Sequence, residues 1–102
     1  MRDPSKSEDK DLGVIQVLLD RLNKHRMPNA LKLKDKVDRG ECLTEYDTRF
    51  LKSAIDEARE GEKLAAKHPE YKGLLDEMTG LYAEIVRKGL ENEKNPKEAD
   101  SE

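Results

Sequence analysis

The sequence predicts an all-α protein: a small antiparallel bundle of about four helices, two long, one medium and one short, with disordered termini. Three observations carry this. Tyr71, Leu74, Met78, Leu81 and Ile85 recur at intervals of three and four residues, which places them on one face of a helix. The same rhythm returns elsewhere in the chain, and no segment alternates in the way a half-buried strand does. Hydrophobic residues make up 34% of the chain, with no tryptophan and one phenylalanine. A core built from Leu, Ile, Val, Ala, Met and tyrosine suits helices better than sandwiches or barrels.

Residues 1–8, MRDPSKSE, are polar and contain Pro4, and are expected to be disordered. The expected single domain spans residues 9–92. The first helix is expected from about Asp9 to Arg26, with Leu12, Ile15, Leu19 and Leu22 on its main stripe. Val14 and Leu18 widen that stripe, and Val17 lies off it. Pro28 is expected to end the helix, because the residue before a proline is driven out of the α region. A short second helix then runs from about Pro28 to Arg39, with Ala30, Leu31, Leu33 and Val37 as its apolar face. Gly40 suits a left-handed stop.

The third helix has the clearest start. Thr44 followed by Asp47 resembles a capping box, and Leu43 ahead of it suits a hydrophobic staple. This helix is expected to reach about Lys67. Ala54, Ala58, Gly61 and Ala65 form a seam of small residues that lets another backbone approach. The fourth helix is expected from about Pro69 to Asn92. Gly73 and Gly80, seven residues apart, are expected to meet the small seam in an antiparallel hairpin, with a break near Thr79–Gly80 as the alternative. Residues 93–102 read as a disordered, mostly acidic tail.

Catalytic chemistry finds little purchase. The only histidines, His25 and His68, fall near expected helix ends and lack metal-ligand spacing. Asp35–Tyr46 places a glycine where a calcium loop would. However, Val37, Arg39 and Tyr46 stand where carboxylates are needed, so a helix stop followed by a cap explains it better. Cys42 is the sole cysteine, which excludes an intrachain disulfide and fits a reducing compartment. A thiol just ahead of a helix can be activated, but no histidine is near it in sequence. Asp56, Glu57, Glu60 and Glu62 are interleaved with Lys52, Arg59 and Lys63, as solvated ion pairs are. Neither a phosphate loop nor a serine nucleophile motif occurs. No enzyme activity, cofactor or metal is expected.

Charge is segregated. Residues 21–39 carry seven basic and two acidic residues, and residues 40–62 carry seven acidic and three basic ones, although the whole chain has a formal charge of only −3. The candidate interaction surface is therefore Lys24, Arg26, Lys32, Lys34, Lys36 and Arg39. These cations could pair internally with the acidic third helix, meet an acidic protein, or contact phosphates. The segment has no interleaved aromatics for stacking on bases. The expectation is a cytoplasmic, non-enzymatic interaction or adaptor protein with a protein partner or self-association, and no membrane contact. A nucleic-acid or ribosome-associated accessory protein is the alternative.

Overall fold

A computed structural model of the chain describes residues 5–94, and their side chains from residue 12 onward. The expectations for residues 1–4 and 95–102 lie outside the described residues. Four α-helical stretches are present: α1 (Ser5–Arg21), α2 (Met27–Asp38), α3 (Glu45–Leu64) and α4 (Pro69–Lys94). They make three rods, not about four, because a π-helical turn at Leu22–Arg26 joins α1 to α2 without a break. Pro28 therefore does not end the first helix. A proline in a regular helix lacks its own N–H and crowds the carbonyl four residues back, here that of Lys24. The wider turn relieves this: Met27 donates its N–H to the carbonyl of Leu22, five residues back.

The joined rod and α4 run parallel, and α3 runs antiparallel between them in sequence. α3 and α4 share the most extensive packing. The core holds Ile15 and Leu22 from the first part of the rod, Ala30 and Val37 from α2, and Leu51, Ala54, Ala58 and Ala65 from α3 and its C-cap. α4 supplies Leu75, Met78, Tyr82 and Ile85. Fully burying an aliphatic side chain is worth about 1.5–3 kcal/mol, so this seam is the main favourable term.

The α4 stripe differs in phase from the one expected. Leu74 is 44% exposed, and Tyr71 and Leu81 are half-buried, whereas Leu75 and Tyr82 are fully buried. Leu74–Leu75 and Leu81–Tyr82 are adjacent apolar pairs, so two helical faces fit the rhythm equally well, and packing selects the second. The expected glycine contact is also absent. Nothing lies within 4 Å of a Cβ placed at Gly73 or Gly80, and α4 continues unbroken through both. The small seam of α3 instead receives side chains: a Cβ at Gly61 would lie 2.7 Å from Leu18 Cδ2 and 3.0 Å from both Leu75 methyls. On α4, Gly89 is the buried glycine, against Leu43.

The joint between α2 and α3 is heavily constrained. Gly40 has φ 89°, and the Glu41 N–H reaches the Lys36 carbonyl while the Gly40 N–H reaches that of Val37. This is the paired-bond C-terminal motif that glycine permits. The capping box forms as expected: Asp47 N–H donates to Thr44 Oγ1 at 3.0 Å, and Thr44 N–H donates to Asp47 Oδ2 at 3.1 Å. Asn92 then ties the joint to the end of α4, its amide donating to the carbonyls of Val37 (3.0 Å) and Glu41 (2.8 Å).

Candidate interaction surface

Most of the basic segment faces carboxylates of this same chain. Arg26 projects from the π turn onto α3. Its Nε lies 3.1 Å from Glu57 Oε1, its Nη2 donates to Ser53 Oγ at 3.0 Å, and its guanidinium lies 5.2 Å from the centroid of Phe50. Arg21 reaches the other oxygen of Glu57 at 3.1 Å. Burial opposes ionisation of Glu57, but the hydrogen bonds from Arg26 and Arg21 outweigh it and hold the carboxyl below the usual carboxylate range. Lys36 meets Asp47 at 2.9 Å, so a basic side chain also braces the helix cap. Burial raises the Asp47 pKa, yet Lys36 and the Thr44 bonds bring it below its ordinary value.

The other cations pair close to home. Lys24 lies 3.3 Å from Asp20, Lys34 lies 2.8 Å from Asp38, and Arg39 bonds Asp35 and Glu41. Lys32 is exposed on α2. Five of the six residues thus spread along the π turn, α2 and its C-cap as members of separate pairs. Arg26 and Lys36 cross to α3, while Lys24, Lys34 and Arg39 stay on their own rod or its linker. His25 is exposed on the π turn, and His68 precedes α4, its ring edge-on to Tyr71 at 6.3 Å. Cys42 is exposed in the linker. Among the described residues, no group of three or more His, Cys, Asp or Glu is placed to hold a metal ion, and no helix is long and apolar enough to cross a membrane.

Two apolar grooves lie elsewhere, one on each flank of α1. A groove of about 530 Å³ between α1 and α3 is lined by Gly13, Val14, Val17, Leu18 and Arg21 on one wall and Glu60 and Leu64 on the other. Val14 and Val17 stand 49% and 62% exposed beside it. A smaller groove of about 400 Å³ between α1 and α4 includes Leu19, Tyr71, Leu74 and Met78, with Gln16, Asp20 and Asn23 along its edge. Both arise because α1 sits on the α3–α4 hairpin with a thinner contact than the hairpin has within itself. The sequence held one sign of this: Val17 lies off the stripe that α1 buries. The α3 wall, Glu60 and Leu64, could be assigned only once the rods were docked.

One buried polar atom has no partner among the described residues: the hydroxyl of Tyr82, whose side chain is fully enclosed. Burial pushes its phenol above the ordinary tyrosine value, and Arg26 opposes this weakly. Comparison of the chain with protein-family models, with curated proteins and with solved structures yields no match.

Proposed function

We propose that this chain is a non-enzymatic helical interaction module that docks a protein through the α1–α3 groove. The observation that carries the reading is the exposure of Val14 and Val17 in a groove that Leu18 and Leu64 also line. A groove between two helices suits an apolar helical face. The charged neighbours, Arg21 and Glu60, form a polar rim around that apolar strip.

The nucleic-acid reading draws less support. Five of its six cations already face carboxylates of the same chain. Phosphate binding would have to compete with those pairs.

The test is a tagged pull-down from source-cell lysate, split into nuclease-treated and untreated halves, run beside Val17→Glu. The expected result is a stoichiometric protein retained in both halves and lost with Val17→Glu. Retention that nuclease abolishes, and that Val17→Glu leaves intact, would transfer the function to the basic segment.

A further inference from the structure

The joined rod is held to the hairpin unevenly on the two sides of its π turn. Beyond the turn, α2 buries Ala30 and Val37, pairs Lys36 with Asp47 and Asp38 with Lys88, and offers the Val37 carbonyl to Asn92. Arg26 fastens the end of the turn to Glu57, Ser53 and Phe50. Ahead of the turn the hold is thin. Ile15 is the one fully buried side chain among residues 12–21, and grooves run along both flanks of α1. Leu18 sits over Gly61. The ion pair from α1 to the hairpin, Arg21–Glu57, has a half-exposed arginine, and such pairs add little.

The segment between these two regimes is a weak point in the helix ladder. Pro28 has no N–H to give the carbonyls behind it. Prolines and π turns are also where helices bend.

We propose that α1 is a strap hinged at Leu22–Arg26, which swings off the α3–α4 hairpin as a unit while α2, α3 and α4 stay folded. Opening withdraws Leu18 from Gly61 and bares the Leu75 methyls beside it. α1 is thus the built-in occupant of that apolar seam, and any other occupant must displace it. The α1–α3 groove loses one wall in the same movement, so a partner seated there would hold the strap closed. The opening is a property of the chain alone and stands whether or not the groove docks a protein.

The experiment is native-state hydrogen exchange of the full chain in the EX2 regime, read by NMR across low denaturant concentrations, with Val37→Ala beside wild type. A detached α1 is marginal as a helix, so its amides exchange once it leaves the hairpin. Amides of residues 15–21 are expected to share one protection factor and one denaturant slope, with protection about hundredfold or more below that of residues 52–58 and 79–85. Protection should step up across residues 22–27. Val37→Ala removes packing that the open and closed forms share. It should lower hairpin protection about tenfold or more and leave residues 15–21 unchanged.

Equal protection in α1 and the hairpin overturns the proposal. So does protection that rises residue by residue along α1 without denaturant dependence, which is end fraying. A step away from the π turn overturns the hinge. A fall in α1 that tracks the hairpin in Val37→Ala would show one cooperative unit and overturn the strap.

Discussion

Gly61→Ala should destabilise this protein, although alanine is the better helix former. Replacing glycine inside a helix gains about 1 kcal/mol of propensity. At Gly61 the new methyl would arrive 2.7 Å from Leu18 Cδ2 and 3.0 Å from both methyls of Leu75. Leu75 is fully buried and Leu18 half-buried, so the neighbours must yield at the junction of α1, α3 and α4. Overpacking of this kind costs about 1–3 kcal/mol, leaving a net loss of about 1 kcal/mol. Gly73→Ala and Gly80→Ala are the internal controls, since nothing lies within 4 Å of either new methyl. Each should stabilise by about 0.5–1 kcal/mol. Thermal melts at one fixed protein concentration read the contrast. For a domain of this size 1 kcal/mol corresponds to about 4–8 °C, so Gly61→Ala and Gly80→Ala should differ by on the order of 10 °C. Equal stabilisation by all three would refute the close approach of Leu18 and Leu75 to the seam. Destabilisation by Gly80→Ala would refute an open, unbroken α4 at that point.

Tyr82→Phe should raise stability by about 1 kcal/mol in denaturant titration, because it removes a buried hydroxyl without a partner and keeps the ring; a clear loss would reveal a bond that the hydroxyl makes. Asn92→Ala should cost about 1 kcal/mol and speed amide exchange in residues 39–43, since the Glu41 carbonyl loses the Asn92 donor and the Val37 carbonyl keeps only the Gly40 N–H; unchanged exchange there would show that α4 does not hold the joint. Acid sensitivity should follow Glu57, whose folded-state pKa lies below its unfolded value. Its contribution is complete above the unfolded value of about 4.3 and is lost as pH falls through the lower folded value. Glu57→Gln should therefore flatten the acid limb of a stability–pH profile, and an unaltered limb would place the titration elsewhere.

Much of the fold could be read from local chemistry. Thr44, Asp47 and Gly40 act within a few residues of themselves, and their cap and stop form as the sequence implies. The α3 seam was equally plain, because its small residues recur at helical spacing. The partners of that seam depended on docking. Side chains of α1 and α4 fill it where Gly73 and Gly80 were expected, and Leu75 displaces Leu74 from the core because either phase satisfied the rhythm. Asn92 reads as a polar helix end until the carbonyls of Val37 and Glu41 come within reach. The candidate surface moved for a related reason. Charge runs are conspicuous in a sequence, but carboxylates distant along the chain meet Arg26 and Lys36, and an apolar groove arises from two walls that are far apart in sequence, residues 13–21 and 60–64.

The π turn also settles a matter of phase. The buried residues of the joined rod are Ile15, Leu22, Ala30 and Val37, at steps of seven, eight and seven. Seven residues nearly close two turns of an α-helix, whereas an eighth would swing the stripe by about 100° away from the core. The wide turn absorbs that eighth residue, so α2 faces the hairpin with the same side that α1 does. The chain therefore has a skip residue, and its place is fixed by Pro28. Deleting His25 together with Pro28→Ala should return the rod to an unbroken heptad stripe with Ala30 and Val37 still inward. Deleting one residue from the middle of α2 has no such slack and should turn Val37 to solvent, with the loss of cooperative unfolding as the measurable sign.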